Sequence, residues 1–519
     1  MTCCPGETLR THFRCYMNLI VLIRYLLGLI GGIILFSPSS AGQEMLGAVQ
    51  GNYSGTQVLQ LNPSALHQSK TWLDIHLLGA DFFLQNNFLY QDKNDYRFSN
   101  FFKADYIWPT HLEQYGTEER IFYYYENNRN KKLLLNLRIN GPGALVAWGK
   151  HAFALTTVIR TSLSMRRVPY ELAKFLYLGL NYRPQQNIRY TDNKPITASM
   201  MTWAEIGLSY AYVFHARGLN KWSAGITFKL LEAYTGAYIR VRQLDYIVLN
   251  DSTLNVLNLD ATTGMALPIS YDQNSFWNDK FFKGSGIGVD LGVTFTRLKK
   301  NYQTQIISRL CAQRYDDYLY RIGVSLIDIG AVKFKYNARK YLIDNCPSYW
   351  ENVNRLDFQN LGHLFDTISY RCYGDSTAAL VSDRFSVWLP SAISVQADYH
   401  LYRNWYINAI MVYGFTLSGA SLSLPTQLAI TPRYESRWLE VSVPISLYDW
   451  YLPRIGLAVR VFGFTVGTDK LGGFFHMSNF TGLDFYFSLR FFLEKGICRS
   501  KGIKGCLRDQ KLNVRKLKF

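Results

Sequence analysis

The chain has 519 residues, of which 48% are hydrophobic and 15% aromatic, and it carries a net charge of +18. A mean hydropathy of -0.07, with no apolar run of about 18 residues after residue 41, excludes a protein that crosses a membrane with several helices. The 37 Tyr and 32 Phe fit the pleated surface of a sheet. Any membrane insertion is therefore expected to use strands.

The N-terminus has the pattern of an export signal. Three arginines precede an apolar run from Leu26 to Phe36, and Ser39-Ser40-Ala41 supplies the small residues that signal peptidase prefers. We expect residues 1–41 to be a cleaved signal peptide. The alternative is a retained membrane anchor, for which the uncharged run is short.

Several later segments alternate apolar and polar residues with the period of a β-strand. In Gly482–Phe492 one face carries Leu483, Phe485, Phe487, Leu489 and Phe491, and the other carries Asp484, Tyr486, Ser488 and Arg490. Similar segments occur around residues 204–215, 222–230, 287–295, 393–400, 439–445 and 455–461. A soluble sandwich would turn the apolar faces inward, whereas a membrane barrel would turn them toward lipid. The strand lengths favour a membrane barrel, and we count about fourteen strands from Thr71 to Phe492.

The connections are predicted from the stretches that lack this alternation. Residues 86–131, 250–283 and 338–383 are expected to be long outer loops. Val168–Gly179 is predicted to be a short helix, because Pro169 comes early and Gly179 ends it. An aromatic girdle is expected from the tryptophans near predicted strand starts, which are Trp72, Trp203, Trp222, Trp388, Trp405 and Trp438.

Five cysteines follow the predicted signal. In an oxidising compartment we expect disulfides between Cys346 and Cys372 and between Cys498 and Cys506, with Cys311 a buried small residue. The last two paired cysteines lie in a basic tail, residues 495–519, which has nine Lys/Arg and one Asp. Export removes nucleic acid as a partner, which leaves lipid phosphates, peptidoglycan or an acidic protein, unless the tail is only solvated.

Catalytic motifs are absent from the sequence. There is no H-E-x-x-H or G-x-S-x-G, and the glycine-rich stretch at Gly284 opens a strand rather than a helix. His215 and His400 are expected to be solvated in the lumen. We therefore expect no catalytic residue, no metal, no cofactor and no enzymatic activity, although a Ser/His pair assembled at the rim is an alternative that one sequence leaves open.

Three segments, residues 43–87, 389–409 and 461–492, resemble an uncharacterised family of outer-membrane barrel proteins from Bacteroidota that is catalogued as a domain of unknown function. The likeness covers nearly the whole mature chain and brings no activity with it. Asn62-Pro63-Ser64-Ala65 is also similar to the Asn-Pro-Ala element in the lumenal hatch of the fatty-acid-channel and PorV-like barrel superfamily, with Ser64 interrupting it. This similarity implies that Asn62 and Pro63 belong to a plug, residues 42–69.

The expected architecture is all-β: a single antiparallel outer-membrane barrel at residues 70–494, with the plug inside and the basic tail in the periplasm. The side chains expected to line the lumen are Glu205, Lys229, Asp290, Asp398, Arg460, Asp484 and Arg490. Salt pairs among them would hold the wall and the plug rigid.

Three functions remain open at this point. The first is a gated passive channel for a small molecule, a hydrophobic one among the candidates. The second is a non-conducting membrane anchor for a periplasmic or secretion-system protein partner. The third is a soluble exported protein that binds glycans. The barrel hypotheses also make outer-membrane lipid a partner.

Overall fold

The computed structural model of the chain describes residues 45–96, 103, 108–112, 119–273, 280–300, 304–308, 313–353 and 360–493. The predicted signal peptide, the basic tail and Cys311, Cys498 and Cys506 lie outside the described residues. Residues 42–44 of the predicted plug lie outside them as well.

Fourteen strands follow one another around an antiparallel barrel, and several of them are interrupted by a short break. Their bounds are β1 Leu73–Asn86; β2 Lys131–Asn140 continued by Gly143–Trp148; β3 His151–Val168; β4 Ile196–Arg217; β5 Asn220–Val248; β6 Leu254–Ala266 continued by Gly284–Leu298; β7 Tyr318–Phe334 continued by Ala338–Ile343; β8 Phe385–Trp388 continued by Ala392–Tyr402; β9 Trp405–Gly414; β10 Gln427–Glu435; β11 Leu439–Ser442 continued by Ile445–Tyr448; β12 Leu452–Ile455 continued by Leu457–Val461; β13 Phe464–Thr468; and β14 Asp484–Leu493. Each strand pairs with the next one in the chain.

The last strand closes the barrel by pairing with the first. Leu73 lies opposite Leu493 and Phe83 lies opposite Asp484, so β1 and β14 are in register over most of their length. Closure removes the free sheet edge, whose unpaired N–H and C=O groups would be costly in hydrocarbon. The predicted all-β barrel of about fourteen strands is confirmed.

The two faces of the wall differ in polarity. In β14 the exposed side chains include Phe485, Leu489 and Phe491, while Asp484, Tyr486, Ser488 and Arg490 are buried. The same arrangement recurs around the barrel, where Leu208, Phe228 and Ile287 are exposed. Because the apolar residues point outward, the surroundings of the wall must be apolar, as they are in a bilayer. This arrangement excludes the soluble sandwich.

The connections divide the barrel into two ends. Five brief turns, at residues 149–150, 218–219, 403–404, 436–438 and 462–463, lie at one end, together with the connection at residues 299–317. We call this the short-turn end; β1 begins there and β14 ends there. The longer connections, at residues 87–130, 169–195, 344–384, 415–426 and 469–483, lie at the opposite end, the long-loop end.

Two of the three predicted long loops contain barrel strand, so that part of the prediction is wrong. Leu254–Ala266 belongs to β6 and Ala338–Ile343 belongs to β7. The reason is the length of β5, which runs to Val248 and offers backbone partners to β6 over Gly236–Val248. Above the apolar belt the outer face no longer needs apolar residues, so the ladder continues without the alternation that marks a membrane strand.

Two α-helices of the described chain lie at the long-loop end. The predicted one is confirmed as α1, Tyr170–Leu178, which ends where Gly179 adopts a φ of +88°. The other, α2 at Leu361–Tyr373, was not predicted, although Asn360 caps its N-terminus and Gly374 ends it with a φ of +72°. Neither helix among the described residues is long and apolar enough to cross a membrane.

The remaining elements are short. Within the part of the chain that the structure describes, the 3₁₀-helices are Gly55–Gln60, Pro63–Gln68, Arg183–Gln185 and Leu471–Gly473. Three strand pairs decorate the connections, namely Leu89–Tyr90 with Tyr123–Tyr124, His111–Leu112 with Glu119–Arg120, and Thr304–Ser308 with Gln313–Asp316. Three more short strands, Arg189–Asp192, Ser348–Trp350 and Leu380–Ser382, add to the edges of β5, β6 and β7. None of them alters the closure of the barrel among the described residues.

One of the two predicted disulfides lies within the described residues. Cys346 and Cys372 form a disulfide that ties the end of β7 to α2.

Trp203 was expected in an aromatic girdle, but it is fully buried inside the barrel, where its Nε1 donates to Glu205 Oε2 at 3.2 Å. The girdle prediction is wrong for this residue because Trp203 and Glu205, two positions apart on β4, must share a face.

An arginine on the outer face tests whether that face meets lipid. Leu208→Arg places a charge near the middle of the apolar belt, and we expect a loss of about 2–4 kcal/mol in unfolding free energy. The measurement is urea unfolding of the barrel in liposomes. Tyr402→Arg, close to a turn at the short-turn end, is the control and should lose about 0–1 kcal/mol. Equal, small losses at both positions would contradict a lipid-facing exterior.

Candidate functional site

The lumen is occupied by the N-terminal part of the described chain. We call residues 45–70 the inner segment; it contains the 3₁₀-helices Gly55–Gln60 and Pro63–Gln68. Most of its residues are buried, including Met45, Val49 and Leu66. The second 3₁₀-helix contacts the inward faces of β3 to β7, and the first contacts β1 and β2. The inner segment therefore lies against the polar face of the wall across half of the barrel.

Asn62 fixes the turn between the two 3₁₀-helices. Its Oδ1 accepts the backbone N–H of Ser64 at 2.9 Å, and its Nδ2 donates to Gln396 Oε1 at 2.9 Å and to Thr294 Oγ1 at 3.3 Å. Pro63 then occupies the first helical position, where its missing N–H leaves no donor unused. The side chain of Asn62 thus shapes the inner segment and attaches it to β6 and β8 at once.

Three glycines make room for this turn. Gly225 of β5 lies opposite Gly292 of β6, and Gly323 of β7 lies two positions further along the same face. A Cβ added at Gly225 would come within 2.5 Å of the backbone of Pro63, and one at Gly292 would collide with Asn62 Oδ1. Bare backbone at these positions is what allows the inner segment to approach the wall so closely.

A buried carboxylate anchors the inner segment at two points. Glu435 on β10 accepts from the backbone N–H and the Nδ2 of Asn52, both at 2.9 Å, and from Lys70 Nζ at 3.1 Å. Arg433 Nε lies 3.2 Å from the same carboxylate. Because Glu435 is 1% exposed, loss of any of these donors would leave a buried charge unsatisfied.

A second ion cluster lies deeper in the wall, centred on Asp328. Its carboxylate lies 2.8 Å from Arg160 Nη1 and 2.5 Å from Lys229 Nζ, and Lys229 also lies 2.7 Å from Asp290. Arg160 additionally lies 3.6 Å from Glu205. These pairs bridge β3, β4, β5, β6 and β7 across the lumen.

The structure places all seven predicted lumen residues on the buried, inward face. They are Glu205, Lys229, Asp290, Asp398, Arg460, Asp484 and Arg490. Three of them form ion pairs with a residue on another strand: Asp398 pairs with Arg433 at 3.3 Å, Arg460 with Glu440 at 3.0 Å, and Arg490 with Asp74 at 3.3 Å. Asp484 accepts the backbone N–H of Asp469 at 3.1 Å.

Several partners were missed by sequence reasoning. Asp328 adopts a φ of +56° on β7, which turns a residue from the outer face to the inner one, so alternation points it the wrong way. Arg433 and Glu435 do lie on an alternating segment, Gln427–Glu435, but Pro432 lies within it and weakens the strand signal. Alternation read through Pro432 could have found both.

The ladder between β1 and β2 is interrupted at one level, which we call the wall break. Gly79 pairs with Asn140 on the long-loop side of this level, and His76 pairs with Gly143 on the short-turn side. Between these two pairs β1 has a bulge and β2 is interrupted. Pro142 has no N–H to give, and its carbonyl accepts from Thr157 of β3 at 2.7 Å instead of facing β1. Leu77 and Leu78 are both exposed on the outside at the bulge.

A cavity of about 40 Å³ lies behind the wall break, between the inner segment and β1 to β6. Its lining includes His76, Asn140 and Gly143 from the wall and Gln57 and Gln60 from the inner segment. Among the described residues, Gln57 Oε1, Gln60 Oε1, Asn140 Nδ2 and both ring nitrogens of His76 have no hydrogen-bond partner. This side of the inner segment is therefore held less completely than the side anchored by Glu435.

The fold and its contents define a class: a transmembrane β-barrel whose lumen is occupied by its own N-terminal segment. A family model matches residues 63–469, and the chain belongs to that family, described as a family of unknown function, DUF5723. No curated protein matches the chain in sequence.

Several solved structures are similar to the chain at low sequence identity. The toluene transporter TbuX of Ralstonia pickettii is 10% identical, with a TM-score of 0.38, over 88% of this chain and 98% of that one. The toluene transporter TodX of Pseudomonas putida is 9% identical, with a TM-score of 0.31, over 88% and 98%. A FadL homologue of Pseudomonas aeruginosa is 10% identical, with a TM-score of 0.20, over 88% and 98%.

A methyl group at Gly225 tests the docking of the inner segment. Gly225→Ala should push Pro63 away from the wall, because its Cβ has no room beside the backbone of that residue. We expect faster amide hydrogen exchange at residues 55–68 with unchanged heat-modifiable migration of the barrel. Gly473→Ala is the matched control, since its Cβ would meet only Tyr96 Oη at 4.0 Å. Exchange as slow as in the wild type would contradict the close approach.

Acid should weaken the same docking through His67. Its ring Nε2 lies 2.6 Å from the Gly149 carbonyl oxygen, and burial, with help from Lys221, lowers the pKa of His67 to about 3. When the inner segment is released, His67 binds a proton below its ordinary pKa of about 6.5, whereas docked His67 stays neutral down to about pH 3. Docking therefore becomes less favourable as the pH drops from 6.5 toward 3. Protection factors of residues 55–68 at pH 7 and pH 5 measure this. If His67→Gln kept the same pH dependence, another group would be responsible.

Proposed function

We propose that this protein is a gated passive channel that releases a small hydrophobic molecule through its wall into the bilayer. The observation that carries the proposal is the wall break between β1 and β2, which lies next to a cavity beside the inner segment. In this proposal the inner segment is the plug, and its shift on the cavity side opens the path.

The charges of the lumen argue against a route along the barrel axis. Such a route would require the inner segment to leave Glu435 and Asn62 to leave Gln396, and it would separate buried charges from their partners. Removing one partner from a buried ion pair costs about 3–5 kcal/mol, and an apolar cargo would give nothing back to the charges. A path through the wall break leaves the contacts of Glu435 and Gln396 in place, and the backbone ladder there is already interrupted.

The cargo class follows from where the path ends. Leu77 and Leu78 face outward at the wall break, with exposed fractions of 47% and 48%, so a molecule that leaves there enters the apolar belt. A strongly hydrated solute would lose its water shell in that step, whereas a hydrophobic one would gain from it. A small hydrophobic molecule is therefore the cargo that the exit favours.

The location of the protein in the cell is part of the same proposal. Residues 1–41 direct export, and the barrel resides in the outer membrane with the short-turn end toward the periplasm, because outer-membrane barrels keep their short turns there. The Asn62-Pro63 turn inside the lumen supports kinship with PorV-like barrels, and the resemblance of residues 43–87, 389–409 and 461–492 supports kinship with Bacteroidota outer-membrane proteins.

The second candidate is a non-conducting anchor for a periplasmic or secretion-system partner. The observation that favours it is the completeness of the ion pairs that fix the inner segment to Glu435 and bridge the strands at Asp328. A barrel built only to present its loops or tail would benefit from such rigidity.

A removable disulfide beside the wall break tests the channel. Cysteines at Ala80 and Ile139, which are paired on the outer face above the break, should form a disulfide that fixes β1 to β2. We expect uptake of radiolabelled naphthalene by cells expressing this variant to fall to background and to recover after reduction. Uptake is measured against cells that lack the protein.

The control places the same kind of disulfide where the ladder is continuous. Ala397 and Ala409 are paired on β8 and β9, and cysteines there should leave uptake unchanged in both redox states. Uptake that is unaffected by either disulfide would contradict release through the wall break. No uptake by the unmodified protein in any state would favour the anchor.

A further inference from the structure

The short-turn end carries an excess of exposed basic residues. Five of its six connections contain or directly follow at least one, and these residues are Lys150, Arg217, Lys300, Arg403 and Arg437. Among the described residues of the same connections, the acidic ones are Asp316 and Asp317. The described rim of the barrel at this end is therefore positively charged.

Large aromatic side chains lie directly beside these charges. Trp148, Trp405 and Trp438 are exposed to 61%, 51% and 50%, and each follows or precedes a basic turn residue by one or two positions. The guanidinium of Arg437 lies 4.4 Å from the ring centre of Trp438, and that of Arg403 lies 5.0 Å from the ring centre of Tyr402. Such contacts keep the cations at the level of the aromatic rings.

The position of these pairs identifies what they face. Trp and Tyr side chains prefer the boundary between hydrocarbon and water, and the apolar belt begins directly above them with exposed residues such as Phe153. Cations at this level meet the phosphate layer of the leaflet and not the bulk solvent. Their spread over five separate turns also fits a surface of many phosphates better than a single anion.

We propose that the short-turn rim binds anionic phospholipid headgroups, with the tryptophans set in the glycerol region and the Lys and Arg side chains pairing with phosphates. This surface is separate from the wall break, and its binding of lipid does not depend on whether the barrel conducts. The partner is anionic phospholipid in the bilayer leaflet at the short-turn end. Residues 495–519, which follow β14 in the chain, carry charge of the same sign.

The test compares lipid retention by the full-length protein. It is purified in detergent with a mixture of phosphatidylglycerol and phosphatidylcholine, and the retained lipids are counted by native mass spectrometry. The rim variant combines Lys150→Gln, Arg217→Gln, Arg403→Gln and Arg437→Gln. We expect its apparent affinity for phosphatidylglycerol to fall by a factor of about ten or more, while its retention of phosphatidylcholine stays unchanged.

The matched control removes the same charge from the long-loop end. It combines Arg129→Gln, Lys194→Gln, Lys335→Gln and Arg384→Gln, all of which are exposed. This variant should retain phosphatidylglycerol as the wild type does, and heat-modifiable migration shows that both variants are folded. Equal loss in both variants would reveal a general charge effect and overturn the proposal, and so would full retention by the rim variant.

Discussion

The pairing of β1 with β14 is the constraint on which the rest of the molecule depends. In hydrocarbon no water is available to satisfy a backbone N–H or C=O, so a sheet can enter a bilayer only when its first and last strands meet. The register that joins Leu73 to Leu493 and Phe83 to Asp484 achieves this. Once the sheet is closed, every strand has an outer face toward lipid and an inner face that must be filled.

The inner face is filled by polar groups that satisfy one another. A wall with Glu205, Lys229, Asp290 and Asp328 pointing inward would leave unpaired charges in a narrow space, and the ion pairs between strands remove that cost. The inner segment then supplies the remaining donors, such as Asn52 and Lys70 for Glu435. The same interactions that stabilise the wall also keep the lumen closed.

Alternation in the sequence was enough to predict the barrel, its approximate strand number and the inward position of residues such as Asp290. It failed where the chain leaves strict alternation. At Asp328 a positive φ reverses the inner and outer faces, and at Leu77 and Leu78 a bulge puts two neighbours on the outside. Arg433 and Glu435 were hidden by Pro432. The pairing of these side chains depends on the register between distant strands, which a local pattern does not contain.

The wall break and the inner segment are physically linked through β1. Asp74, just below the bulge, pairs with Arg490 and accepts the backbone N–H of Thr56 at 3.4 Å, and Gln57 Nε2 donates to Ser488 Oγ at 2.8 Å on β14. The first 3₁₀-helix therefore braces β1 against β14 on one side, while the break interrupts the ladder between β1 and β2 on the other. A shift of that helix would remove part of the support of β1 at the level where its ladder with β2 is already interrupted. In the proposed channel, movement of the plug and loosening of the wall are thus one event, because both act on the same few residues of β1.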